Sequence, residues 1–148
     1  MGHIEAICIS REKGTVKERI ASAELCAEHG IVGDAHAGNW HRQVSLLPAE
    51  SIAKVRDLMP ELADGAFAEN LITSGLNLGA VAIGDRVTIA DSVVLEITQI
   101  GKECHHGCAI RQITGDCIMP REGIFCKVVH GGRITAGSCA ALTSTATA

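Results

Sequence analysis

Apolar positions along the chain follow two spacings, and the change between them divides the sequence. Residues 4–10 (IEAICIS) alternate closely enough for a first strand, and residues 11–15 (REKGT) read as a polar loop containing glycine. A helix is expected over residues 16–29, centred on 21–29 (ASAELCAEH) with Gly30 as its stop, although Val16 and Ile20 would also suit an extended lead-in. Residues 33–41 (GDAHAGNWH), rich in small and polar side chains, form a loop. Residues 43–47 make a short strand, and Pro48 sets the first turn of a helix over 49–59. Ile52, Val55, Leu58 and Met59 give that helix its apolar face, and it ends before Pro60.

From Phe67 onward the period is two. Strands are expected over 70–73, 86–89, 93–100 (VVLEITQI) and 124–129. Residues 75–78 form a turn, 90–92 join two of the strands, and HGGR at 130–133 supplies a hairpin turn. Residues 134–135 and 139–142 then close the sheet, before a small polar tail at about 143–148. Nothing alternates strand and crossover helix. The pattern predicts a mainly β (α+β) fold, a closed or strongly curved barrel of mostly antiparallel strands with a few helices. Closure would protect the aliphatic strands from edge-to-edge pairing.

A length of 148 residues suits a single domain able to bury its own core. Hydrophobic residues reach 47% but aromatics only 2%, so that core must be aliphatic. The net charge of −4 argues against nucleic acid as a partner. No stretch approaches the roughly 18 apolar residues of a membrane-spanning helix. The opening MGHIEAICIS has Glu5 within its apolar run and no basic leader, which reads as a strand rather than an export signal. A cytoplasmic location is the expectation.

Seven cysteines, an odd number, favour reduced thiols over a disulfide framework. Cys8, Cys26 and Cys139 sit among small or aliphatic neighbours and read as buried or half-buried hydrophobes. That leaves Cys104, Cys108, Cys117 and Cys126. In GKECHHGCAI (101–110), Cys104 and Cys108 bracket His105 and His106. A structural zinc site would need a second compact ligand pair, which is missing even if Cys117 joins, so zinc is not expected. A redox dithiol more often has two intervening residues at a helix start. The third reading is one reactive thiolate at the end of a strand, ringed by Lys102, His105, His106, Arg111 and Arg121, whose charge would favour the thiolate. On composition alone, ordinary solvated charges explain those cations equally well.

The succession GDAHAGNWHRQVSLL, FAEN, GDRVTI, LEITQIGKECHHGCAI, GDCIMPREGIF and GGRITAG resembles the MOSC domain, the family named for the C-terminal domain of molybdenum cofactor sulfurase. The likeness is to its small stand-alone bacterial type and runs from about Ile4 to Leu142, so a single MOSC domain is expected over 1–148. It implies a barrel like that of pyruvate kinase. It also implies the molybdenum cofactor (molybdopterin) as ligand, and a cysteine that carries sulfur or ligates molybdenum. The family's cysteine falls on Cys104, with Cys108 the close alternate. The HRQVSLL and FAEN segments, at 41–47 and 67–70, would line the same pocket.

The implied catalytic residues are Cys104 and Cys108, with Cys104 (or Cys108) meeting molybdenum through the cofactor. His36, His41, Arg42, Asn70, Lys102, Arg111 and Arg121 are the cofactor-binding candidates. Arg42, Lys102, Arg111, Arg121 or Arg133 would pair with its phosphate, an arginine through two hydrogen bonds. A soft thiolate suits sulfur transfer, or a metal already held by sulfur. His36 and Asn70 would meet the pterin edge, or equally stabilise turns. These residues contain no aminotransferase-like portion with a lysine for pyridoxal phosphate. Sulfur would therefore come from elsewhere, a cysteine desulfurase or a molybdopterin-biosynthesis protein. Alternatives are a small molybdenum-dependent reductase of N-hydroxylated compounds, and a zinc-bound or structural interaction module.

Overall fold

A computed structural model describes residues 2–12, 17–35, 37–57, 69–101 and 123–143 of the chain. Eleven strands are described: β1 Gly2–Ile9, β2 Glu18–Ile20, β3 Ser22–Cys26, β4 Gly30–Ile31, β5 Val44–Pro48, β6 Leu71–Ser74, β7 Arg86–Ile89, β8 Val93–Ile100, β9 Ile124–His130, β10 Gly132–Thr135 and β11 Cys139–Thr143. One α-helix, α1 (Ala49–Arg56), follows β5, and a single 3-10 turn covers Leu78–Ala80.

Seven strands close on themselves in the order β11-β7-β8-β9-β5-β6-β1, with β1 pairing back to β11. The seam is Gly2 opposite Ala140 and His3 opposite Cys139, extended by the Ile4 amide donating to the Ser138 carbonyl at 2.8 Å. Every neighbouring pair in the barrel is antiparallel except β5 and β6, as expected from the period-two half of the sequence. Closure leaves these aliphatic strands without free edges. No described helix is long and apolar enough to cross a membrane.

The barrel interior is filled by Ile, Leu and Val from nearly every strand, Ile4, Ile7, Leu46, Leu95 and Ile97 among them. β1 shows how a strand serves two faces. A register shift between Ile4 and Ala6 puts two residues of β1 against one of β6, which inverts the alternation. Ile4, Ile7 and Ile9 thus all reach the interior, while Ala6 and Cys8 face outward. There they meet Ile52 and Val55 of α1, with Leu47, Ile72 and Phe125, in a second small core. Pro48 is extended (ψ 134°) and caps α1 rather than opening it; the proposed last turn at Leu58 and Met59 lies outside the described residues.

Two expectations fail. The segment 21–29 is not a helix but strand β3 and a turn at residues 27–29 that leads into β4. Its helix formers Ala, Glu and Leu are overruled by partners. Ala23 and Leu25 are buried while Glu24 and Cys26 face out, and the strand is hydrogen-bonded on both sides, by β10 and β4. Likewise HGGR is not a hairpin turn. β10 leaves β9 to pair with β3 in a separate three-stranded sheet, with Arg133 opposite Glu24. Gly131 permits this crossing, because a Cβ there would lie 2.3 Å from the Leu25 carbonyl oxygen.

The β7–β8 turn carries a local cost. Ala90 and Asp91 hold φ of 54° and 62°, with the Ser92 amide donating to the Ile89 carbonyl at 3.2 Å. Positive φ at both central residues suits the twist of a hairpin, but an L side chain opposes it. Ala90, which lacks the local hydrogen bonding that helps aspartate, should gain most from glycine. Ala90→Gly is expected to stabilise by about 1 kcal/mol, raising Tm by roughly 2–4 °C, with a smaller gain for Asp91→Gly. Thermal unfolding by circular dichroism measures this, and a lower Tm for Ala90→Gly would contradict it.

Candidate functional site

Two of the sequence motifs meet on a buried polar network. Asp34, in the loop after β4, accepts at Oδ1 from the Lys17 ammonium at 2.6 Å and from the Ser10 amide at 3.1 Å. Its other oxygen accepts from Asn70 Nδ2 at 3.1 Å. The Lys17 and Asp34 side chains are 1% and 0% exposed. Asn70, just before β6, also donates to the Cys8 carbonyl at 3.0 Å. Its Oδ1 accepts from the Ser45 amide at 3.0 Å and the Ser45 hydroxyl at 3.2 Å. Two donors and two acceptors account for the whole capacity of that amide. Asn70 therefore braces β1, β5 and the Asp34 loop against one another.

HRQ forms an arm leading into β5. Gln43 is buried and its Oε1 accepts from the Val128 amide at 2.9 Å, fastening the arm to β9. Arg42 is half-buried, with its guanidinium carbon 4.8 Å from the Trp40 ring centroid and 5.6 Å from that of Phe125. Its Nε is buried with no hydrogen-bond partner among the described residues. His41 is exposed, and its ring meets the Trp40 ring edge-on, centroids 5.8 Å apart.

This arm is tied to the far end of β8. His41 Nε2 lies 2.8 Å from Gln99 Oε1, and the His41 carbonyl accepts from the Thr98 hydroxyl. A register shift between Ile97 and Gln99 lets adjacent residues reach the same outer neighbour. Gln99 in turn donates from Nε2 to the Gly101 carbonyl at 2.8 Å. Gly101, at φ 72°, donates its amide to the Gly123 carbonyl at 2.7 Å, joining the end of β8 to the start of β9. The doublet Thr98–Gln99, interrupting the alternation of VVLEITQI, is the sequence signal for this bulge; neither residue was singled out from the sequence.

Beside the arm lies a cleft of about 520 Å³, lined among others by Trp40, His41, Thr98, Arg86, Glu96 and Lys127. Glu96 is 3.6 Å from Arg86 and 3.3 Å from Lys127, a ladder across β7, β8 and β9. Such partly exposed pairs add little stability, and with Glu28 also lining the cleft its two cations are matched by two carboxylates.

Of the candidate residues, His41, Arg42 and Asn70 are described; His36, Lys102, Cys104, Cys108, Arg111 and Arg121 lie outside the described residues. Arg133 sits on β10 and donates to the Ser22 hydroxyl at 3.1 Å. Among the described residues, no three His, Cys, Asp or Glu side chains gather as a metal-binding set. The cysteines sort differently from expectation. Cys8 is buried, but Cys26 and Cys139 are exposed, because β3 and β11 turn those positions outward. Cys126, counted among the reactive candidates, faces the barrel interior. Burial first, and the nearby Glu96 charge second, push its thiol far above the ordinary range, so it stays protonated.

A small closed barrel, braced by a buried polar network and edged by an arginine- and histidine-bearing arm, defines the class of protein. The MOSC domain model matches residues 33–139, and the chain belongs to that family. The fold is shared with the YUAD protein of Bacillus subtilis, at a TM-score of 0.79 and 21% identity, covering 97% of each chain. YiiM from Geobacillus stearothermophilus is similar at a TM-score of 0.68 and 16% identity, covering 97% of this chain and 76% of that one. A protein named "Reductase" from Gibberella moniliformis (strain M3125 / FGSC 7600) is 31% identical over 88 residues. That stretch is 54% of this chain and only 16% of the fungal protein.

Proposed function

We propose that this MOSC domain binds a molybdopterin-type cofactor beside the end of β8 and handles sulfur through Cys104. The observation that carries this reading is the link from His41 through Gln99 to Gly101. It fixes the HRQ arm to the strand end from which the cysteine segment departs, three residues before Cys104.

The residues suit such a ligand. The buried Nε–H of Arg42 meets no protein acceptor among the described residues and would answer a phosphate oxygen. Trp40, 38% exposed, offers a ring to a flat heterocycle at the mouth of a cleft of ordinary ligand size. Lys102, Arg111 and Arg121 add positive charge, and His36 and His41 add polar contacts. Asn70 contributes by holding the loop and strands in register. The cofactor, when bound, supplies a molybdenum centre held by sulfur, for which a cysteine thiolate is a matched ligand.

Loading of Cys104 needs only chemistry the chain can support. Its thiolate attacks the outer sulfur of a donor persulfide; the donor's S–S bond breaks and the donor departs as thiolate. The donor is of the cysteine-desulfurase class or a molybdopterin-biosynthesis protein. Cys108 is the alternate nucleophile. The fungal relative is named only "Reductase", which suits a second reading of reductase type; if the substrates were N-hydroxylated compounds and Cys104 a metal ligand, turnover with an added electron donor would distinguish it.

The test is gentle purification followed by pterin fluorescence after oxidation and metal analysis. Co-purifying pterin with molybdenum, lost in Arg42→Ala, is expected. Near-stoichiometric zinc depending on Cys104, Cys108 and Cys117, without pterin, would replace this reading with that of a zinc-bound interaction module.

A further inference from the structure

We infer that Gln99 is a positioning residue, orienting at once the His41 ring and the Gly101 strand end; this rests on the reading of Cys104 as the working thiol. The inference follows from the two ends of one carboxamide. Its NH2 donates to the Gly101 carbonyl, which can only accept, at 2.8 Å. That places the amide oxygen toward His41, 2.8 Å from Nε2. The oxygen has no proton to give, so Nε2 must carry one. In its neutral form the imidazole is thereby held as the Nε2–H tautomer, with Nδ1 left as an acceptor. The His41 backbone is pinned separately by Thr98, so Gln99 governs the ring and Thr98 the main chain.

Gly101 faces the same device. Its carbonyl is held by Gln99 and its amide by Gly123, so both polar groups of the last described residue before the cysteine segment are fixed. A hydrophobic or shorter side chain at 99 would free the carbonyl and the imidazole together. The strand itself would remain, because Gln99 pairs with Phe125 through its backbone. The two functions of the amide can be separated by charge. Gln99→Glu retains an acceptor for the imidazole but has no donor for Gly101; Gln99→Leu loses both.

Nitrogen NMR of labelled protein reads the tautomer directly, and timed alkylation of Cys104 by iodoacetamide, followed by mass spectrometry, reads the cysteine. At a pH where the ring is neutral, wild type should show His41 with its proton on Nε2. Gln99→Leu should weaken that preference by about fivefold, the factor that one ordinary hydrogen bond supplies, leaving the modest Nε2–H excess of an unbonded imidazole, and should change the Cys104 alkylation rate. Gln99→Glu should keep the tautomer yet alter the rate to a similar degree, which a general loss of folding would not produce. Should Gln99→Leu fail to fold, Gln99→Glu still tests both arms. An Nδ1–H tautomer in wild type overturns the assignment of the ring. An unchanged alkylation rate in both variants overturns the link to the cysteine. Cofactor retention is measured separately on wild type, so a failure of the cofactor reading leaves the tautomer result standing as a distinct outcome.

Discussion

Asp34→Ala should be the most destabilising single substitution in the loop network, lowering stability by about 3–5 kcal/mol. The substitution takes the carboxylate from within 2.6 Å of an ammonium that is 1% exposed, removing this counterion from a positive charge in the interior. It also strips the Ser10 amide and Asn70 Nδ2 of an acceptor, and each buried donor so stranded costs about 1–3 kcal/mol. Against the 5–15 kcal/mol typical of a whole domain, this is a large fraction. A fall in Tm of roughly 10 °C or more is expected for a chain of this size. Adding Lys17→Met should then recover part of the loss, since the stranded charge goes with it. In the wild-type background the same Lys17→Met should destabilise. Urea denaturation of the four proteins gives the coupling, and a loss below about 1 kcal/mol for Asp34→Ala would falsify the account.

The sequence carried the barrel because its strands after Phe67 are patterned for two faces, one inward and one outward, and that alternation survives in β7, β8 and β11. The segment 21–29 misled for a physical reason. Ala, Glu and Leu favour a helix locally, and only contact with β10, more than a hundred residues away in the chain, makes the two-residue alternation decisive. The HGGR hairpin failed in the same way, since a glycine pair signals a tight approach but not which strand is approached. Local sequence could not tell β9 from β3.

The site was legible in its parts rather than its logic. GDAHAG, HRQ and FAEN were marked as lining one pocket; their described residues include Asp34, Gln43 and Asn70 in buried hydrogen bonds, yet within GDAHAG the histidine drew attention and Asp34 did not. A carboxylate in a loop ordinarily belongs to solvent. Only the arrival of Lys17 and Asn70 from distant segments makes its burial possible. Gln99 escaped notice for a related reason. It looked like a surface position of a strand, whereas the bulge before it turns its amide toward His41 and Gly101.

Cys104→Ser should abolish sulfur loading and cofactor retention while leaving unfolding unchanged, because serine nearly matches cysteine in size but lacks a soft, polarisable donor. The labelling order of the cysteines tests the thiolate first. Cys126 and Cys8 are fully buried, and burial holds the Cys126 thiol protonated, so Cys126 can react only through opening of the barrel and Cys8 only through opening of the small core beneath α1. Cys26 and Cys139 are exposed and should label at the rate of an ordinary surface thiol. They set the baseline that a reactive thiolate must exceed. Cys104 carries Lys102, His105 and His106 within two residues, so it should label ahead of that baseline, with Cys108 next. Brief iodoacetamide treatment at neutral pH, with peptide mapping, distinguishes the classes. A persulfide donor in place of the alkylating agent should add one sulfur at the same residue. If Cys26 and Cys139 label while Cys104 and Cys108 stay unmodified, the thiolate is absent, and with it the sulfur-handling role.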